Sequence, residues 1–106
     1  RKYKIFIYYI MGNLIYTDKE TLFNRIIFKL QANEWDFMTS PELNVMKFKS
    51  NLTDRFMVYK YYEYKSIETE LHIIIVLNEL GEPIRENSFY NLKEMFRHFD
   101  NCMYLM

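Results

Sequence analysis

Residues 47–78 read KFKSNLTDRFMVYKYYEYKSIETELHIIIVLN, and the way this stretch divides decides the fold. SNLTD at 50–54 is polar turn chemistry, in which short side chains bond their own backbone. RFMVYKYYEYK at 55–65 predicts a long strand rich in aromatic residues. After Ser66 the chain turns again. TELHIIIVL at 69–77 predicts the most apolar strand, with Leu71, Ile73, Ile75 and Leu77 on one face, and a run of that kind belongs inside a sheet rather than at its edge.

Toward the N-terminus, LNVMKFK at 43–49 predicts another strand, whose apolar pattern changes phase between Val45 and Met46. Such a change implies a bulge or burial on both faces. WDFM at 35–38 predicts a short strand before the Ser40-Pro41 break, with Trp35 covering the edge of the core. A helix from about residue 18 to 32 precedes it. Thr17 and Glu20 make a capping-box pattern. Leu22, Phe23, Ile26, Ile27 and Leu30 recur on one helical face and leave Asn24, Arg25, Lys29 and Gln31 toward water. The helix is expected to end near Asn33, a residue tolerant of the left-handed conformation.

Toward the C-terminus, NELGEP ends the last strand, and a second amphipathic helix is expected from Asn87 or Ser88. Phe89, Leu92, Met95, Phe96 and Phe99 carry its spacing, and Arg97 and His98 fall in its final turns, where cations suit the helix dipole. The apolar tail of DNCMYLM is expected to dock on its own domain or on another chain. The fold class is therefore α+β: a single two-layer domain over residues 1–106, with an antiparallel meander of three to four strands and two amphipathic helices. Residues 1–10, RKYKIFIYYI, have two readings. They form an N-terminal strand, or they are translated AT-rich sequence upstream of a start at Met11.

Composition limits the function classes. Half the residues are apolar and 26% are charged, the profile of a folded domain. Fourteen basic residues balance fourteen acidic ones, which counts against nucleic acid as a partner. Cys102 is the only cysteine, so no intramolecular disulfide is expected and a reducing, cytoplasmic setting is the simplest one. The apolar runs Ile73 to Leu77 and Ile5 to Met11 are both far shorter than a membrane span. Met11-Gly12 opens a myristoylation-like motif, but Tyr16 stands where Ser or Thr is needed. Ile, Tyr, Phe, Asn and Lys make up nearly half the chain, which points to an AT-rich genome.

No constellation for catalysis, cofactor binding or metal binding is expected. His98, Asp100 and Cys102 suggest a metal or a Cys-His nucleophile, but His72 is the only other histidine and sits in an apolar strand. Glu79, Glu82 and Glu86 surround Gly81 without the spacing of a calcium loop. The unusual feature is VYKYYEYK at 58–65. Tyr59, Tyr61, Tyr62 and Tyr64 there are a stacking platform for single strands, a protein-binding face, or ordinary cross-strand packing. Met103, Tyr104 and Leu105 are a second candidate partner surface.

The segment 47–78 followed by FYNLKEMFRHFDN at 89–101, behind the helix around 22–30 and Trp35-Asp36-Phe37, resembles the type III secretion chaperone-like fold, including YbjN-type small domains. The resemblance covers residues 17–101 in element order. It implies no catalysis, and domains that dimerise and bind other proteins through sheet or helix surfaces. The residues themselves point the same way: a small non-enzymatic, cytoplasmic protein-binding module, chaperone-like or adaptor, that forms a homo-oligomer and needs no cofactor. Two alternatives stand beside it. One is a phage or mobile-element inhibitor of a host defence system, acting in the host cytoplasm; the other is an organelle-encoded subunit of a larger assembly.

Overall fold

The computed structural model describes residues 17–64, 67 and 69–102 of the chain. In chain order they form helix α1 (Thr17–Ala32), strands β1 (Trp35–Glu42), β2 (Val45–Ser50), β3 (Phe56–Tyr64), β4 (Thr69–Leu77) and β5 (Pro83–Phe89), and helix α2 (Leu92–Cys102). The sheet is an antiparallel meander in the order β1-β2-β3-β4-β5. Both helices pack on the same face, so the domain is α+β in two layers.

Helical periodicity places α1 as its sequence implies. Phe23, Ile26, Ile27 and Leu30 are buried, with Leu22 packed against them. After the last turn the left-handed residue is Glu34 (φ 69°), not Asn33. Asn33 instead holds the helix end, donating from Nδ2 to the Lys29 carbonyl at 3.0 Å and from its amide to the Leu30 carbonyl at 3.0 Å. The Glu34 carbonyl then accepts the Asn51 amide at 2.8 Å, tying the helix exit to the β2–β3 turn. In that turn the Ser50 hydroxyl accepts the amides of Leu52 and Thr53, both at 3.0 Å.

Strand alternation supplies the other half of the core. Trp35 and Phe37 of β1, Met46 and Phe48 of β2, Met57, Tyr59 and Tyr61 of β3, and Ile74 and Val76 of β4 turn toward the helices and are buried. Phe23 of α1 stands edge-on to Tyr59 and Tyr61, with centroids 6.1 and 6.0 Å apart. Met95 and Phe99 of α2 complete this layer. The helices are joined on their outer side by Lys29 Nζ, 2.7 Å from Asp100 Oδ1. The register shift implied by the phase change near Val45 lies on the partner strand β1, between Phe37 and Thr39 and again before Glu42.

Further expectations are corrected, the first being that β1 runs through Ser40 and Pro41 to Glu42 instead of stopping before them. Among the described residues the sheet has five strands rather than three to four, because 83–89 is a strand and not the approach to a helix. Its hairpin is built on Asn78. The Asn78 side-chain oxygen accepts the amides of Leu80 and Glu82 at 2.9 Å each, and Gly81 takes the positive φ of 82° that the turn requires. Consequently α2 begins at Leu92 rather than at Asn87 or Ser88, and Asn91 Oδ1 caps it by accepting the Glu94 amide at 2.8 Å.

The phase of α1 is directly testable. Ile26→Ala is expected to cost about 2–5 kcal/mol, the range for truncating a fully buried aliphatic side chain. Gln31→Ala, on the exposed side, is expected to stay within about 0.5 kcal/mol. Chemical denaturation of the two variants checks both values.

Candidate functional site

Three features outside ordinary packing are candidates: a polar cluster inside the core, a cationic groove between the helices, and the sheet face away from them. The polar cluster lies between β3 and β4 under the first turns of α1. Tyr59 and His72 are both fully buried, and the Tyr59 hydroxyl lies 2.7 Å from His72 Nδ1. Beside them Tyr61 donates to Glu70 Oε2 at 3.1 Å. Burial pushes the Tyr59 phenol well above its usual range, with Tyr61 and Glu70 adding to the rise. Burial likewise raises Tyr61, helped by Glu70. A phenol so held keeps its proton, donates to Nδ1 and leaves the imidazole proton on Nε2. That nitrogen has no hydrogen-bond partner among the described residues, and Glu70 Oε2 stands 3.7 Å from it. With Tyr59 and His72 closed to solvent, the cluster is a core network with one unpaired nitrogen rather than a surface for substrate.

The groove between α1 and α2 is lined by Arg25, Leu92, Lys93, Phe96, Arg97 and Asp100 and has a volume of about 640 Å³. The Phe96 ring forms its floor under the cations of Arg25 and Lys29, at 5.7 and 5.6 Å from the ring centroid. Two of its polar groups are thus committed to holding the helices together: Asp100 by the Lys29 ion pair and Arg25 by the ring. Among the described residues no group of three or more His, Cys, Asp or Glu side chains could hold a metal ion. His98 packs against the Phe89 ring at 5.1 Å.

The third feature is the sheet face away from the helices. Because side chains alternate along a strand, the face opposite the helices carries Val45, Lys47 and Lys49 of β2, Phe56, Val58, Lys60, Tyr62 and Tyr64 of β3, Leu71, Ile73, Ile75 and Leu77 of β4, and Glu86 and Ser88 of β5. None of these is fully buried, and no described residue packs over them as a layer. The register aligns them in rows. Lys47 pairs with Val58, Val58 with Ile75, and Ile75 with Glu86, so one row runs basic, apolar, apolar, acidic across four strands. The adjacent rows are Lys49, Phe56, Leu77 and Val45, Lys60, Ile73, Ser88. Lys47 and Lys49 bracket the Phe56 ring at 4.9 and 5.1 Å.

The structure divides the tyrosines that the sequence groups together. Tyr59 and Tyr61 turn into the core, while Tyr62 and Tyr64, each 44% exposed, extend the open face. Met103, Tyr104 and Leu105 lie outside the described residues, as do residues 1–10. The three glutamates around Gly81 also separate, since Glu86 belongs to β5 and faces the open side. Sequence reasoning missed the row as a site because it needs β5, although Leu71, Ile73, Ile75 and Leu77 on one strand face were its visible part.

Comparison of the chain with known protein families, with curated proteins and with solved structures returns no match. No helix among the described residues is long and apolar enough to cross a membrane.

The buried cluster sets a pH dependence. Burial holds the His72 imidazole below its usual value, against the opposing pull of Glu70, and burial beside Arg85 does the same to His98. As pH falls below about 6.5 the unfolded chain therefore takes up protons that the folded chain resists. Stability is expected to be flat from neutrality to about pH 9, to fall through this acid window, as urea midpoints at pH 7.5 and 5.5 will show, and to fall again above about pH 10, where unfolded tyrosines ionise and the buried phenols resist. His72→Phe alone strands the Tyr59 hydroxyl and is expected to cost about 1–3 kcal/mol at pH 7.5. His72→Phe with Tyr59→Phe removes both partners, so it is expected to be less destabilised at pH 7.5 and flatter below 6.5, with the residual slope due to His98.

Proposed function

We propose that the protein is a small non-enzymatic protein-binding module, an adaptor or chaperone-like domain of the cytoplasm, that engages its partner through the open face of the sheet. The observation that carries this reading is the apolar centre of that face: Val58, Ile73 and Ile75, flanked by Phe56, Leu71 and Leu77. An antiparallel sheet with one face in water ordinarily turns polar residues outward. Here the two central strands turn β-branched and aromatic residues outward instead, and contiguous apolar surface of that kind marks an interaction site.

The magnitudes fit a binding surface. Fully burying a Val or Ile side chain is worth about 1.5–3 kcal/mol relative to exposure. These residues are already partly covered by their neighbours, so covering the rest gains roughly 1 kcal/mol each. Half a dozen of them supply about 6 kcal/mol gross, so micromolar association, about 8 kcal/mol net of the costs of binding, needs a comparable share from apolar surface on the partner. Closure of the Tyr59–His72 pair to solvent supports the non-enzymatic part, and the single cysteine, Cys102, fits a reducing compartment. Type III secretion chaperone-like domains, which the element order resembles, are also protein binders, but the proposal rests on the open face and not on that likeness.

A photo-reactive phenylalanine analogue placed at Ile73 of the whole chain, and at Glu34 as an exposed control, tests this in cells. Adducts to protein are expected from position 73 and not from 34. They are expected to disappear when Val58→Thr and Ile75→Thr are added, changes that keep β-branching and remove apolar surface. Equal labelling from both positions, or cross-links only within the chain to residues 1–16, would remove the open face as a docking surface.

A further inference from the structure

We infer that the partner the open face is built for is a second copy of this chain, packed face to face as a two-sheet sandwich in which Lys47 of each copy meets Glu86 of the other. The inference rests on the binding reading above and names its occupant. The row Lys47, Val58, Ile75, Glu86 is self-complementary. A two-fold axis parallel to the strands, passing between β3 and β4, keeps every residue at its own level and exchanges left for right. It lays Val58 over Ile75 and Lys47 over Glu86, twice each. The other in-plane two-fold, perpendicular to the strands, lays β2 over β2 with levels reversed and so brings the lysine-bearing strand of one copy against the same strand of the other. Only the first orientation joins opposite charges, and roughly parallel strands are what aligned sheet packing requires.

Lys47 and Glu86 do not meet within one chain. They stand three strands apart, about 14 Å at the spacing of neighbouring strands. Each is at the flank of an apolar centre, which is where a polar rim belongs in an interface. The chain's own N-terminal segment is a poorer occupant. Residues 1–16 carry Arg1, Lys2 and Lys4 and no Asp or Glu, so they would bring cations to a face that already presents Lys47, Lys49 and Lys60.

Size is sufficient for a modest dimer. Strands β2–β5 make a face about 19 Å wide and up to about 30 Å long. That is roughly 600 Å² in projection per copy, at the low end of stable interfaces. The same geometry has one unfavourable contact, because Lys60 lies beside the axis and approaches its own copy. Lys60→Leu is therefore expected to tighten the dimer, whereas an unrelated partner with acids over Lys60 would lose affinity.

The test is sedimentation equilibrium of the purified full chain over micromolar concentrations, with Lys47→Glu and Glu86→Lys. A dimer is expected for the parent chain, and each single reversal is expected to weaken it at least tenfold. The double reversal, and an equimolar mixture of the two single variants, are both expected to recover association to within about threefold, since in each case every 47–86 contact is again of opposite sign. Should a reversal fail to fold, Lys47→Gln and Glu86→Gln replace it: the doubly neutral chain is expected to lose no more than either single. A parent chain that is monomeric at these concentrations, or a dimer indifferent to the reversals, or losses that add without rescue, would overturn the inference. The protein-binding reading would still stand if the probe at Ile73 labels a different protein, and would fail with it if that probe labels none.

Discussion

Two helices can cover one side of a five-stranded sheet and no more, and every other property of this domain depends on which side they cover. Alternation along a strand is strict, so each residue turned toward α1 and α2 sends its neighbours the other way. In β4 the covered set is His72, Ile74 and Val76, and the uncovered set is Leu71, Ile73, Ile75 and Leu77. Judged by hydrophobicity alone the wrong side faces the helices. The resolution lies in β3, whose covered side carries Tyr59 and Tyr61, large rings that fill the layer beneath Phe23 and provide His72 with the hydrogen bond it needs.

That pairing of Tyr59 with His72 explains why a polar residue can occupy the centre of the core. An imidazole buried beside apolar groups alone would leave both ring nitrogens unpaired, whereas one whose Nδ1 accepts a hydrogen bond from a phenol leaves only Nε2 so. The network also fixes register: a shift of β3 by one residue would expose Tyr59 and put Lys60 or Tyr62 opposite His72 in place of Tyr61. The polar cluster therefore acts as a specificity device within the sheet, and the apolar surplus of β4 is left on the outside as its consequence.

Much of this was legible in the sequence, for physical reasons that differ between elements. Helix α1 and strands β3 and β4 declared themselves because burial on one side imposes a period that composition cannot mimic. Strand β5 did not, since PIRENSF packs only Phe89 and, in part, Asn87 toward the helices and otherwise lies at an edge where polar residues are tolerated. Phe89 stands three residues before Leu92 and six before Met95, so it joined the helical pattern by coincidence. The signal that would have separated them is Asn91, whose side chain caps the first turn of α2. The tyrosine run shows the opposite limit. Tyr59, Tyr61, Tyr62 and Tyr64 look alike in composition, yet the period of two sends the first pair inward and the second pair outward.

The open face then poses a question that hydrophobicity does not answer, because apolar surface attracts any apolar surface. Discrimination comes from the charges at its flanks, and these owe their positions to hairpin registers rather than to sequence proximity. Lys47 and Glu86 are 39 residues apart in the chain and reach the same row only because three successive hairpins conserve level from β2 to β5. The Asn78 turn matters most here, since a hairpin one residue longer would move Glu86 to the helix side and bring Asn87 outward. The acid on that row is thus as much a product of Gly81 and Asn78 as of Glu86 itself, which ties the chemistry of the face to a turn that demands a glycine.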